Sequence, residues 1–350
     1  MKQKIYILFD CKSEDNDKSW LYSNLEKCYP GSCTVVEIKK NLWKIESSGM
    51  IWKIRCRMTT IFQAMRAAIR ANNGDIIICW EILSGLWTDM FISLLHKRVN
   101  LISMNWLSPP NKHGRYTKMQ KHIINNPNAV KVTNCEATIN EWKAFLDITQ
   151  KNLNFTIIPD VYDNRIPFET IVYKKTYCFT GGMNNRDWLF LINLAKLLPN
   201  IQFYCIALSK DFVSYGKQVP LNLHIKFDVA PQEYYEMMKG ASIVLMPLKT
   251  DKASGLINII RSAQYGIPCI STETSATKMY YKNTEGLLLT RDYDMWKKTI
   301  EDINSMSEME YYSMTYRFCE YIQKEFSPDN ATQKIRSIIN SFQNCCKEKV

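Results

Sequence analysis

Two short segments carry residue types suited to holding a diphosphate. The first, Cys178-Phe-Thr-Gly-Gly-Met-Asn-Asn-Arg-Asp-Trp188, sets Gly181 and Gly182 at the end of an apolar run and Arg186 at the start of an amphipathic one. Glycines at that point permit unusual backbone angles and close approach of a ligand. An arginine fork matches phosphate oxygens. By itself the segment reads more readily as a tight turn with a solvated arginine. The second is Val244-Leu-Met-Pro-Leu-Lys-Thr-Asp-Lys-Ala-Ser-Gly-Leu-Ile-Asn258. It predicts a strand ending near Pro247, a polar loop, and Ser254 as N-cap of a helix. Gly255, Leu256 and Ile257 then offer free backbone N–H groups at the positive end of a helix, which binds pyrophosphate. Alone this is a capped helix; two such loops in one sheet make a nucleotide-phosphate site the better reading.

Other chemistry is sparse. Twelve cysteines are scattered without a C-x-x-C pair, several inside apolar runs such as Ile76-Ile-Ile-Cys79. They read as small buried hydrophobes in a reduced compartment, which points to a cytoplasmic protein and to no metal site. No G-x-G-x-x-G follows a strand, which disfavours a dinucleotide-dependent oxidoreductase. His113 and Arg115, in the loop Asn105–Arg115, are candidates to approach a sugar or an acceptor phosphate, with His113 as a catalytic candidate. A solvated loop histidine is the alternative. Gly85 is a further cleft candidate.

These residues need elements to position them. Short β-branched runs alternate with longer amphipathic segments, the pattern of parallel sheets with crossover helices. Strands are predicted at Ile5–Phe9, Thr34–Ile38, Ile76–Cys79, Leu101–Met104, Val130–Thr133 and Thr156–Ile158. Helices are predicted at Thr60–Ala71, Thr88–His96 and Glu136–Leu146. After the linker-like Ile158–Pro167 the pattern restarts, with strands from Tyr177–Phe179 to Gly286–Leu289 and helices from Asp187–Leu198 to Tyr293–Met306. Met309–Lys324 and Asn330–Cys345 are helical on either side of Ser327-Pro328. The expectation is two Rossmann-like doubly wound parallel-sheet domains facing a central cleft. They span 1–165 and 166–325, and the C-terminal helix 326–350 crosses back to the first domain.

Composition sets bounds. Of 350 residues 46% are apolar and 23% charged, which suits globular domains and not disorder. The net charge of +11 concentrates in residues 1–168. No nucleic-acid motif accompanies it, so no nucleic-acid partner is expected. The opening residues read as a strand rather than a signal peptide, and the apolar stretch Ile76–Leu95 carries Glu81 and Asp89, which argues against a span. Trp43 and Trp52 beside Lys44, Lys53, Arg55 and Arg57 suit peripheral contact with a membrane, or else buried aromatics with exposed charges.

The segment Ser254–Thr272 resembles the donor-site signature of the family-four retaining glycosyltransferases of the two-Rossmann (GT-B) type. Phe179–Trp188, Pro231–Tyr235 and Ala241–Pro247 fit the same order, and the likeness covers roughly residues 155–290. The resemblance implies transfer of a sugar from a nucleotide diphosphate sugar to a glycan or lipid-linked acceptor, in surface polysaccharide or glycoconjugate synthesis, with retention. It implies no metal and no cofactor beyond the donor. Gly255, Leu256 and Ile257 would hold the donor phosphates through N–H groups, Arg186 would neutralise the leaving diphosphate, and Thr272–Thr277 would lie near the donor sugar. The family carries a glutamate where Arg261 stands. That glutamate accepts bonds from the ribose hydroxyls, and arginine has no acceptor. Asp251 lies near the place of a second missing glutamate, but out of register. A non-catalytic partner subunit of the same fold is therefore the rival reading.

Overall fold

The computed structural model describes residues 3–11, 19–38, 50–110, 112–149, 153–173, 176–182, 184–212, 218–282, 284 and 286–347. Trp43 and Lys44 lie outside them. The chain forms two compact units, Met1–Pro159 with Pro328–Val350, and Asp160–Ser327.

In the first unit β1 (Ile5–Leu8), α1 (Ser19–Cys28), β2 (Cys33–Val36), α2 (Met50–Arg70), β3 (Ile76–Cys79) and α3 (Ile82–Leu94) come first. They are followed by β4 (Asn100–Ser103), α4 (Thr117–Asn125), β5 (Ala129–Thr133), α5 (Glu136–Phe145) and β6 (Phe155–Ile157). The sheet is parallel, in the order β2-β1-β3-β4-β5-β6. Helices on both faces of such a sheet bury its central strands completely, which is why β1 and β3 to β5 are buried at every position. The core is aromatic at one end, where the Trp106 and Trp142 rings pack edge to face 4.8 Å apart.

The second unit begins its sheet with β7 (Cys178–Gly181), α6 (Trp188–Leu197), β8 (Phe203–Ala207), α7 (Ser209–Phe212), β9 (Leu223–Phe227) and α8 (Pro231–Lys239). β10 (Ile243–Met246), α9 (Leu256–Gln264), β11 (Cys269–Thr272), β12 (Leu288–Leu289), α10 (Tyr293–Ser305) and α11 (Glu308–Glu325) complete it. Its order is β12-β11-β10-β7-β8-β9, again parallel. The chain winds outward from β7 in one direction and from β10 in the other. The switch point therefore lies between these two neighbours, where ligands bind at strand carboxyl ends. The last helix, α12 (Pro328–Lys347), starts on the proline that ends α11, and packs in the first unit. There the Asn24 side-chain amide donates to Asp329 and Thr332 at 2.9 and 3.2 Å.

Gly85 and the start of α2 are among the departures from the sequence reading. Gly85 is not in a cleft loop but inside α3; a β-carbon there would stand 2.2 Å from Ser103 Oγ, so the glycine lets α3 settle on β4. α2 starts ten residues before the predicted Thr60, because its first turns bury no side chain and show no inward face.

The first unit also holds a buried lysine amine. Lys131, on β5, donates to the carbonyls of Ile124 and Ala129 at 3.0 and 2.9 Å. Burial lowers its pKa to about 7, against the opposing pull of Asp89. In the unfolded chain the same amine titrates near 10.4. Between these values the unfolded state binds the extra proton, so stability rises with pH, by at most about 1.4 kcal/mol per unit for one group. Between pH 7 and 9 the melting temperature of the wild type should rise relative to that of Lys131→Met, since only the wild type carries the Lys131 share of the slope.

Candidate functional site

The loops that follow β7 and β10 are zipped together. Asp187 N–H donates to Pro247 O at 2.9 Å and Lys249 N–H to Asn185 O at 3.0 Å, closing a bridge between Arg186 and Leu248. The Asn185 side chain reinforces it by accepting from Thr250 N–H at 3.0 Å and donating to Thr250 O at 2.9 Å. Asp187 caps α6, accepting from Phe190 N–H at 3.1 Å, and also pairs with Arg291. This pins the backbone on both sides of Arg186.

Arg186 turns inward rather than over a crevice and is 7% exposed. Its Nε donates to Gly181 O at 2.9 Å, and Nη1 donates to Asn184 O at 3.0 Å and to Ser254 Oγ at 3.4 Å. Those acceptors are neutral, and among the described residues no carboxylate pairs with the guanidinium. Burial pushes its pKa down, yet an arginine keeps its proton in proteins. The result is a fixed, buried positive charge lacking a counter-charge, a costly arrangement unless an anion approaches.

The glycines serve this charge. A β-carbon on Gly182, whose φ is +128°, would stand 2.6 Å from Arg186 Nη2. One on Gly181 would stand 2.5 Å from the Tyr234 ring. They make room for two protein side chains, Arg186 and Tyr234. Gly255, at φ +75°, would bring a β-carbon 2.8 Å from Arg186 Nη2 and 1.9 Å from Met246 Cε.

Gly255, and not Ser254, is the N-cap of α9. The Ser254 hydroxyl donates to Asn184 O at 2.8 Å instead, a further tie between the loops. The N–H groups of Leu256 and Ile257 reach no acceptor among the described residues, as expected of a helix start. The helix end and the guanidinium beneath it thus place positive potential in one spot. Leu256 is buried, while Ile257 stands exposed beside it.

Two residues not singled out in the sequence complete the arrangement. Asn258, one turn into α9, donates to Tyr234 Oη at 2.7 Å and to Gly181 O at 3.2 Å. Tyr234 on α8 is itself buried, which pushes its phenol pKa up. These contacts join residues 24 and 77 positions apart in the chain, so no local pattern announces them.

Arg261 lies one turn beyond Asn258 on α9, 6% exposed, its guanidinium carbon 5.0 Å from the Tyr235 ring centre. Its Nε and Nη1 are buried without an acceptor. The donors-only chemistry noted for this position therefore persists in the fold. Asp251 does not replace the missing carboxylate, because it accepts from the Ser275 N–H and hydroxyl, both at 2.6 Å. These bonds tie the Thr272–Thr277 loop to the β10 loop, and the two line a cleft of about 410 Å³ whose lining includes Lys249, Lys278 and Arg291 as well as Glu273. His113 belongs to the first unit, exposed, with its ring stacked on Phe145 at 4.6 Å. It is not among the groups the second unit brings together. Among the described residues no group of three or more His, Cys, Asp or Glu side chains comes together as for a metal ion, and no helix is long and apolar enough to cross a membrane.

No family model matches the chain, and no curated protein matches its sequence. Solved structures match throughout. A Burkholderia vietnamiensis α,α-trehalose-phosphate synthase (UDP-forming) has a TM-score of 0.67 at 8% identity, over 99% of both chains. HepE of Anabaena, solved in complex with UDP, gives 0.67 at 12%, over 97% of this chain and 100% of its own. The lipopolysaccharide outer core galactosyltransferase WaaB gives 0.61 at 14%, over 97% and 99%. With two all-parallel sheets that match these neighbours from end to end, the chain has the GT-B glycosyltransferase fold.

Proposed function

We propose that the protein is a glycosyltransferase taking its sugar from a nucleotide diphosphate donor held by the second unit. The observation that carries this reading is the buried, unpaired Arg186 behind the open N–H groups of Leu256 and Ile257. A leaving diphosphate brings the counter-charge that this spot lacks. In the reaction the bond from the anomeric carbon to the diphosphate oxygen breaks and the acceptor hydroxyl oxygen bonds to that carbon. The hydroxyl proton passes to the departing phosphate. Charge on the diphosphate grows as the bond breaks, and preorganised donors aimed at developing charge lower the barrier. The N–H groups of Gly255, Leu256 and Ile257 take the phosphate oxygens, and Arg186 supplies the field. This scheme calls for no divalent cation.

The finer parts of the reading rest on resemblance: retention, a glycan or lipid-linked acceptor, and a role in surface polysaccharide or glycoconjugate synthesis. A location at the cytoplasmic face of a membrane rests on the scattered cysteine pattern and on the tryptophans and basic residues around Trp52. Arg261 favours one rival, a non-catalytic partner subunit, because it cannot accept hydrogen bonds from ribose hydroxyls. Release of nucleoside diphosphate from a panel of UDP and GDP sugars separates the two. Slow hydrolysis of one donor without acceptor, rising when glycan is added, supports the enzyme. Binding without release from any donor supports the partner subunit.

A further inference from the structure

α2 carries an apolar stripe that stands exposed, uncovered among the described residues. Met50, Ile51, Ile54, Met58, Phe62 and Ile69 are between 43% and 83% exposed. At 100° per residue they fall within an arc of roughly 120°. The helix packs through the other side, where Thr60, Gln63, Ala64 and Ala67 are buried, with Ala68 buried at the edge of the stripe. Residues 50–59 contribute no buried side chain at all, so nearly three turns of the helix stand clear of the core. Trp52, half-buried, lies off the stripe.

The charges on α2 point to what covers it. Its 21 residues include five cations and no acid. On the helical wheel Lys53 and Arg57 flank the stripe on one side, Arg55 and Arg66 on the other. A second copy of this helix would face like charges on both flanks. A bilayer bearing anionic lipids offers an apolar layer for the stripe and a uniform negative surface for the flanks. We propose that the outer face of α2 docks on an anionic membrane, lying in its plane. This deepens the peripheral-membrane part of the reading above and stands apart from the donor site, which the second unit holds.

The experiment is flotation of the full chain with phosphatidylcholine vesicles, with and without phosphatidylglycerol. The wild type should float with the anionic vesicles, remain behind with the neutral ones, and be released by salt. The exposed double variant Ile54→Glu/Phe62→Glu should bind the anionic vesicles at least about tenfold more weakly. Its unaltered melting temperature and UDP-induced stabilisation would show that the fold and the donor site are intact. Equal binding by the variant, or no flotation of the wild type, would overturn the proposal. So would a wild-type dimer that the double variant turns into a monomer, since the stripe would then join two copies. Flotation is read without nucleotide, so failure of the donor-site reading leaves its outcome legible.

Discussion

Arg186→Met lowers turnover by about two to three orders of magnitude, the scale on which one preorganised group facing developing negative charge acts, while leaving the melting temperature unchanged or raised. The two halves of this expectation separate function from architecture. Methionine retraces the arginine side chain as far as Nε and is of similar volume, but it stops short of the terminal nitrogens that lie beside Gly182 and Gly255. It also removes a buried cation whose acceptors are two carbonyls and a hydroxyl. Replacing a buried charge by an apolar side chain of similar volume is often neutral or stabilising. If the guanidinium were merely a strut between the loops, its loss would lower the melting temperature in step with activity. Steady-state kinetics beside a thermal melt therefore checks both halves, and wild-type turnover in a well-folded variant would remove Arg186 from the mechanism.

Gly255→Ala should damage binding and stability together. The residue caps α9 at φ +75°, where a β-carbon costs about 1–2 kcal/mol. Its methyl group would lie 1.9 Å from Met246 Cε and 2.8 Å from Arg186 Nη2. Met246 can swing its terminal methyl aside, but it is fully buried on β10 and must disturb packing there, at about 1–3 kcal/mol. The sum corresponds to a fall of several degrees in a unit of this size. Displacing Arg186 or turning the N–H groups should weaken nucleoside diphosphate binding by about tenfold or more. Gly286→Ala is the control, at φ +85° with no atom within 4 Å of the new carbon. It bears the backbone strain alone, so it should melt above Gly255→Ala and bind UDP as the wild type does.

The sheet strands were legible wherever burial on both faces left a run of apolar residues, as in Ile76–Cys79, which the fold reproduces residue for residue. α1 escaped notice because few of its positions, Leu21 and Leu25 among them, anchor a polar segment. Within the site, Arg186 and the start of α9 were readable from residue type and from their place after strands. The use made of the glycines was not. Nothing local distinguishes a glycine that admits a ligand from one that admits Tyr234 from another helix. Likewise, Ser254 is the better N-cap by composition. The cap passes to Gly255 because the Ser254 hydroxyl is drawn to Asn184 O in the neighbouring loop. Tertiary contacts decided each of these points.

Amide spectra of protein labelled with ¹⁵N at glycine, leucine and isoleucine, recorded during titration with UDP or GDP, test the diphosphate pocket at its own atoms. The resonances of Gly255, Leu256 and Ile257 should shift together and saturate, and the response should largely disappear in Arg186→Met. Saturable binding that moves other amides and leaves these three in place would contradict the assignment of the site.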